Sequence, residues 1–140
     1  MLFHILTSVW GEAHWKIFLE GTLPSILSQR NIPEVAERHD VVYRFYTTQQ
    51  DQKDQSEHPL LELLRHDATV EFTTPLGTGT PRADHHVHWI HRAATEARQA
   101  GAVLIIVPPD TMWNDGSFAF MARAFEAGKK AVITSLTQVV

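Results

Sequence analysis

Two periodicities of apolar residues divide the chain into strand-like and helix-like segments. Five short segments are apolar or rich in β-branched and aromatic residues, which is typical of strands; they cover residues 2–9, 41–48, 68–74, 102–107 and 130–136. Between them, apolar residues recur at helical spacing. This alternation predicts a single Rossmann-like α/β domain over residues 1–140, with a mostly parallel sheet of about five strands and helices on both faces.

The predicted strands differ in their apolar pattern. Residues 2–9 and 102–107 are almost continuously apolar, as expected of strands that are buried on both faces. Because residues 102–107 are the most hydrophobic segment of all, we expect that strand at the centre of the sheet. Residues 68–74 alternate apolar and polar side chains, which favours a position at the sheet edge.

The first helix is predicted over residues 12–29, where apolar side chains form one stripe, made of Trp15, Phe18, Leu19, Thr22 and Ile26. Pro24 lies inside this pattern. It should kink or restart the helix, because it has no N–H to donate and its ring clashes with the preceding turn.

Three more helices follow the later strands. One is short and begins at Pro59, one runs from about residue 83 to residue 100 and ends at Gly101, and the last ends at Gly128. The apolar stripe of the long helix is predicted to contain Val87, Ile90, Ala94 and Ala97. The polar residues 49–58 are predicted to form a solvated loop.

Composition removes several function classes. The chain has 140 residues, a net charge of −4 and no cysteine. Disulfides, thiol catalysis and cysteine-based zinc sites are therefore excluded, and the charge does not indicate binding to nucleic acid. No apolar run is long enough to span a membrane and no targeting segment is evident, so a cytoplasmic location is expected.

Candidate chemistry is expected where the parallel strands end, since ligands of open α/β sheets bind outside the carboxyl ends of the strands. Asp110 follows the strand at 102–107 directly after two prolines, which hold the chain extended as it leaves the core. A carboxylate fixed there suits a divalent cation or sugar hydroxyls. The alternative is that Asp110 caps the next turn or helix.

Histidines form a second candidate at the start of the long helix. His85 and His88 share a helical face, as do His88 and His91, and such a pair could bind a metal ion. The alternative interpretation is that His91 packs near the apolar stripe, while His86 or His88 donates a hydrogen bond to a ligand at the strand ends.

Three stretches of the sequence resemble nucleotide-sugar-dependent glycosyltransferases with the A-type fold. IIVPPDTMWNDGSFAFMARAFEAGKKAVI (105–133) is similar to the core, where a buried strand ends in a DxD-like motif before a turn, a helix and another strand. HILTSVWGEAHWKIFLEGTLPSILSQRNIP (4–33) resembles the first β–α unit of bacterial glycosyltransferase-like proteins, and YRFYTTQQD (43–51) resembles their second strand. The resemblance covers nearly the whole chain in order.

The resemblance implies a nucleotide-sugar ligand and a role for particular residues. Asp110 matches the last acid of DxD, which helps to hold a divalent cation, Mn²⁺ or Mg²⁺, on the diphosphate. Pro108 stands where the first acid of that motif would be. The nucleotide-facing first loop would contain Ser8, Trp10 and Gly11, with Asp51 near the nucleoside.

The resemblance also implies that the catalytic base and the acceptor site lie beyond the fifth strand. We therefore expect the chain to be the donor-binding part of such an enzyme, truncated at its C-terminus. Two alternatives remain open at this point: a degenerate domain that binds a nucleotide or a protein partner without catalysis, and a histidine-dependent metal hydrolase that uses residues 85–91.

Overall fold

The computed structural model describes residues 1–130 and 137–138. Its strands are β1 (Leu2–Ser8), β2 (Asp40–Tyr46), β3 (Thr69–Thr73), β4 (Val103–Ile106), β5 (Thr111–Met112) and β6 (Thr137–Gln138). Its α-helices are α1 (Glu12–Ile17), α2 (Leu23–Ile26), α3 (Ile32–Ala36), α4 (Gln49–Gln55), α5 (Pro59–Asp67), α6 (His85–Ala100) and α7 (Ser117–Glu126), and a π-helical turn, Phe18–Thr22, joins α1 to α2.

Four strands form one parallel sheet in the order β3-β2-β1-β4. Strand β1 is hydrogen-bonded along its length to β2, from Leu2 beside Asp40 to Ser8 beside Tyr46, and β4 lies on its other side. Strands β5 and β6 form a separate antiparallel pair. The predicted α/β class is therefore confirmed, whereas the strand predicted over residues 130–136 lies, apart from Lys130, outside the described residues.

The most hydrophobic strand, which was expected at the centre of the sheet, is not an inner strand among the described residues. In the described sheet β4 lies at one edge, and β1 and β2 are the inner strands. One face of β4 is buried in the core, through Ile105, but Ile106 on the other face is 41% exposed. Hydrophobicity thus reflects burial under α7 and its neighbours rather than a central position. The edge position predicted for residues 68–74 is correct, since β3 is the other outer strand.

Helices cover both faces of the sheet. Side chains alternate along the strands, so that Phe3, Ile5 and Phe45 face the main core beneath α1–α3, α5 and α7. On the opposite face, Leu6 and Tyr46 pack against α6 in a smaller cluster. This division explains why β1 has buried apolar residues on both of its faces.

The first helical segment has the predicted stripe and the predicted interruption. All five residues of the stripe are buried, with Trp15, Phe18, Thr22 and Ile26 at 0% exposure. The π-helical turn ends at Thr22, two residues before Pro24. Since Pro24 cannot donate to the preceding turn, the ladder of hydrogen bonds widens there, which is a usual origin of such turns.

Two details of the helices correct the predictions. Residues 49–55 form α4 rather than a loop, because the Thr48 hydroxyl caps the helix by accepting the Asp51 N–H at 3.0 Å. In α6 the buried stripe is Trp89, Ala93 and Ala97, whereas Val87 is 57% exposed. Val87 lies two residues before Trp89, and therefore on nearly the opposite side of the helix.

Candidate functional site

The strand order reverses beside β1. The chain adds β2 and β3 on one side of β1, then crosses over through α6 and adds β4 on the other side. Connections that leave neighbouring strands in opposite directions open a crevice at their carboxyl ends, where ligands of such sheets bind. The ends of β1 and β4, near Ser8 and Ile106, therefore mark the position to search.

Two adjoining cavities lie at this position. The first has a volume of about 360 Å³ and the second about 300 Å³, in the range of small-molecule sites. They share Ser8, His14, His86 and Pro109. We call the two together the strand-end cavity.

The predicted site residues fall into two groups around the strand-end cavity. Ser8, His86 and Asp110 line the first part, and Trp10 lines the second part beside Ser8 and His86. Gly11 and Asp51 are not among these lining residues. They contact each other instead, since the Gly11 N–H donates to the Asp51 carboxylate at 2.9 Å.

Asp51 supports the loop that follows β1. Its side chain is 8% exposed, and its carboxylate accepts the Gly11 N–H while its own N–H caps α4 through Thr48. Gly11 has a φ of +88°, a conformation that L side chains rarely adopt, so both the residue type and the carboxylate fix the turn. Asp51 lies in the first turn of α4, just after β2. It therefore holds the loop after β1, which contains Trp10, against this helix.

His86 is held by two side chains of the β1 end. Its Nδ1 lies 2.7 Å from the Ser8 hydroxyl oxygen. Its ring is stacked on Trp10 with the centroids 4.3 Å apart. Burial lowers the pKa of the His86 imidazole, and the nearby charge of His14 lowers it further. The surroundings of His86 therefore favour its neutral form, and Ser8 and Trp10 restrain the orientation of its ring.

The loop before Asp110 is fixed by hydroxyl groups. Three successive carbonyls, those of residues 107–109, each accept a hydrogen bond from a threonine. Thr7 donates to Val107, Thr111 to Pro108 and Thr22 to Pro109, each at 2.9 Å. Thr22 comes from the π-helical turn, so the irregular helix places a donor against this loop.

Asp110 is half-buried at the end of this anchored loop. It precedes β5 directly, and the N-cap position of α7 is occupied by Gly116. Asp110 therefore does not occupy the N-cap position of α7. Its carboxylate belongs to the lining of the strand-end cavity.

His14 is a cavity residue that the sequence did not single out. It lies on α1, is exposed, and lines both parts of the strand-end cavity. A signal was present, because His14 follows the end of β1 by one helical turn, where side chains return toward the strand ends.

The other histidines of α6 do not assemble into a metal site. His88 and His91 are exposed, and the Nδ1 of His85 accepts the Arg82 N–H at 2.8 Å. Within residues 1–130 and 137–138, no group of three or more His, Asp or Glu side chains is placed to hold a metal ion. The geometry thus gives no support to the metal-hydrolase hypothesis.

A larger cavity of about 630 Å³ runs along the whole of β4 and shares Ile106 with the strand-end cavity. Its lining is mostly aliphatic and aromatic, including Trp113 and Phe125, and it reaches Lys130, after which the described chain is interrupted. We assign it no ligand.

Among the described helices, none is long and apolar enough to cross a bilayer.

Comparison with known proteins adds no identity to this geometry. The chain matches no model of a protein family, and no curated protein is significantly similar to it.

Proposed function

We propose that this domain binds a nucleotide-sugar donor in the strand-end cavity and acts as a glycosyltransferase-like protein. The observation that carries the proposal is the convergence of Ser8, His86 and Asp110 on one cavity, although they are far apart in the sequence. The cavity lies where the strand order reverses, which is the usual place for nucleotides in parallel α/β sheets. The sequence resemblance supplies the sugar nucleotide as the ligand class.

The lining offers a nucleotide sugar both apolar and polar contacts. Leu6, Ile90 and Ile106 provide aliphatic surface, which suits the flat or apolar parts of a ligand. The Asp110 carboxylate can accept hydrogen bonds from sugar hydroxyls. Such a mixture of apolar walls and a few fixed polar groups is typical of small-molecule sites.

The donor atoms do not fit a resident Mn²⁺ or Mg²⁺ ion. Among the described lining residues, Asp110 is the carboxylate, and the other candidate ligands are the imidazoles of His14 and His86. Mg²⁺ and Mn²⁺ prefer carboxylates, carbonyls and water, whereas imidazole suits other metals. Pro108 stands where the resembling family has a second acid. We therefore derive no step of the proposed activity through a metal ion.

In glycosyl transfer, the bond between the sugar and the diphosphate breaks, and negative charge builds on the departing diphosphate. Groups that stabilise this charge give the largest contribution to such a reaction. In this cavity the groups suited to that role are the Ser8 hydroxyl and the two imidazoles.

A cytoplasmic location belongs to the same proposal, and a sequence without cysteine is compatible with a reducing compartment.

Thermal unfolding in the presence of a panel of nucleotide sugars, with and without Mn²⁺, tests the proposal. A ligand present at 100 times its Kd stabilises the native state by about 2.7 kcal/mol, so a true donor should raise Tm by several degrees. The Asp110→Asn variant should show a smaller shift. The matched control is Asp40→Asn, because Asp40 is exposed at the opposite, amino-terminal edge of the sheet.

If no nucleotide sugar stabilises the protein, the proposal is wrong. If a part of the shift requires Mn²⁺ and survives in Asp110→Asn, Asp110 is not the ligand of that ion. An unchanged shift in Asp110→Asn for every donor would remove Asp110 from the site altogether.

A non-catalytic nucleotide-binding domain is the second candidate, and the proline at position 108 favours it. With one carboxylate where the resembling motif has two, the domain could keep donor binding and lack turnover. Measuring the release of nucleoside diphosphate from each stabilising donor separates the two, since a binding domain would raise Tm without releasing product.

A further inference from the structure

We propose that His14 and His86 act together as an anion-binding pair for a diphosphate group, so that the ligand is bound without a metal ion. This inference rests on the proposed function for the identity of the whole ligand, but the diphosphate chemistry follows from the cavity itself. It assigns a role to His14, for which the resemblance implies none, and it replaces the absent second acid of the motif by a different kind of contact.

The two imidazoles approach the cavity from different sides of the sheet. His14 is on α1, which packs on the main-core face through Trp15, whereas His86 is on α6, which packs on the opposite face through Trp89. Both rings nevertheless line both parts of the strand-end cavity. The charge of His14 also contributes to lowering the pKa of His86. Two cationic donors on either side of one space suit a diphosphate.

The contacts of His86 leave one nitrogen for a ligand. Nδ1 is engaged by Ser8 at 2.7 Å, so Nε2 is the ring nitrogen with which His86 can donate to a phosphate oxygen. The stacked Trp10 ring restrains rotation of the imidazole. When His86 is protonated, the same indole face stabilises its charge by a cation–π contact. The ring is therefore preorganised to donate, which lowers the entropic cost of binding.

Binding of an anion should be coupled to proton uptake. In the unliganded protein, burial and the proximity of His14 favour the neutral imidazole of His86. An anion between the two rings opposes both the burial penalty and the repulsion between the imidazoles. It places a negative charge beside protonated His86, and it separates the positive charges of His86 and His14. The titratable or charged groups around His86 are His14 on α1, Asp110 after β4, the neighbouring His85, and the exposed Arg82–Asp84 ion pair before α6.

Calorimetric titration of inorganic pyrophosphate and of UDP into the full chain, with EDTA present, tests the inference at pH 6 and pH 8. We expect binding in EDTA that is tighter at pH 6. A charge-assisted hydrogen bond contributes enough that His14→Gln and His86→Gln should each weaken pyrophosphate binding about tenfold at pH 6. His91→Gln is the control, because His91 is exposed on another face of the same helix.

Pyrophosphate itself titrates in this pH range, so the informative quantity is the ratio of Kd between each variant and wild type. This ratio should be larger at pH 6 than at pH 8. A second measurement needs no variant: the ¹⁵N chemical shifts of the His86 ring should change from the neutral to the protonated pattern when pyrophosphate is added at pH 7.

The outcomes distinguish this inference from the proposed function. If nucleotide sugars bind only with Mn²⁺ and EDTA abolishes binding, the proposed function holds and the histidine pair is wrong. If pyrophosphate binds in EDTA with the expected histidine dependence but no nucleotide sugar binds, the pair is supported and the proposed function fails. Absence of pyrophosphate binding, or a His86 ring that stays neutral with pyrophosphate bound, overturns the inference.

Discussion

Replacing Thr7 by valine is the sharpest test of how the end of β1 is held to β2 and to the segment after β4. Thr7 is 0% exposed and lies at the end of β1. Its hydroxyl donates to the Val107 carbonyl at 2.9 Å and lies 2.6 Å from the Tyr43 hydroxyl. Since the Thr7 proton is used for Val107, Tyr43 donates to Thr7. This chain of two hydrogen bonds joins β2, β1 and the segment after β4.

Valine has nearly the shape of threonine, so Thr7→Val changes the hydrogen bonds and almost nothing else. It deprives two buried groups, the Tyr43 hydroxyl and the Val107 carbonyl, of this partner. A buried polar group left without a partner costs about 1–3 kcal/mol. The expected loss is therefore about 3 kcal/mol of unfolding free energy. Burial raises the pKa of the Tyr43 hydroxyl, so this group cannot escape the cost by ionising.

Urea unfolding followed by circular dichroism measures this loss. Tyr43→Phe removes one hydrogen bond and leaves Thr7 bound to Val107, so it should cost only about 1 kcal/mol. The double variant should cost less than the sum of the single ones, because no unpaired tyrosine hydroxyl remains. Thr69→Val, at an exposed position of β3, is the control and should lie within about 0.5 kcal/mol of wild type.

A loss below about 1 kcal/mol in Thr7→Val would refute the argument that these two bonds hold the strand ends together. A loss that adds strictly to that of Tyr43→Phe would show that the two hydroxyls act independently.

Two further predictions concern Asp51, which supports the loop after β1, and His86, which lines the strand-end cavity. Asp51→Ala leaves the Gly11 N–H without its carboxylate and should cost about 1–3 kcal/mol in urea unfolding, whereas Asp54→Ala, exposed on the same helix, should change stability by less than about 0.5 kcal/mol; equal losses would contradict the assigned role of Asp51. The pKa of His86 is lower in the folded state than in the unfolded chain. As the pH falls, the unfolded chain is therefore protonated at this histidine before the folded protein is, so the free energy of unfolding should decrease below about pH 6.5. The decrease in unfolding free energy between pH 7 and pH 5 should be smaller in His86→Gln and unchanged in His91→Gln, and an unaltered decrease in His86→Gln would contradict the buried neutral ring.

The sequence predicted best those features that repeat along the chain. The first strand was found from its nearly continuous apolar composition, because it is buried on both faces, and the stripe from Trp15 to Ile26 was found from its helical spacing, because one face of the helix is buried. Pro24 was correctly expected to interrupt the helix, since the missing N–H is a local property. The α/β class followed from the order of these elements.

Features that depend on long-range partners were not predictable in the same way. The edge position of β4 is a matter of which strands lie beside it, and hydrophobicity alone does not encode that. Helix α4 was not predicted because its residues are polar and show no apolar stripe. The bond that caps it, from the Asp51 N–H to the Thr48 hydroxyl, has no counterpart in the apolar pattern. In α6 the stripe was assigned from Val87, although Trp89, two residues later, is the residue that packs on Tyr46.

The residues of the candidate site at strand ends could be predicted from the sequence, whereas the convergence of its histidines could not. Ser8 and Asp110 follow strands, and the rule that ligands bind at strand ends selects them directly. His14 and His86 reach the same cavity from helices on different faces of the sheet, a convergence that only the folded chain creates. The hydrogen bond between Ser8 and His86 spans 78 residues and has no local signal.

The anchored loop before Asp110 gives the strand-end cavity two chemically different walls. Pro108 and Pro109 have no N–H to offer, and the carbonyls of residues 107–109 already accept threonine hydroxyls. What this wall adds to the cavity is therefore the Asp110 carboxylate, an acceptor. Donors come from the other wall, formed by Ser8, His14 and His86. On the proposed function, a diphosphate would lie against the donor wall and sugar hydroxyls against Asp110. The Asp110→Asn variant should then weaken binding of a nucleotide sugar more than binding of pyrophosphate, and the reverse order would show that the two walls have been assigned the wrong way round.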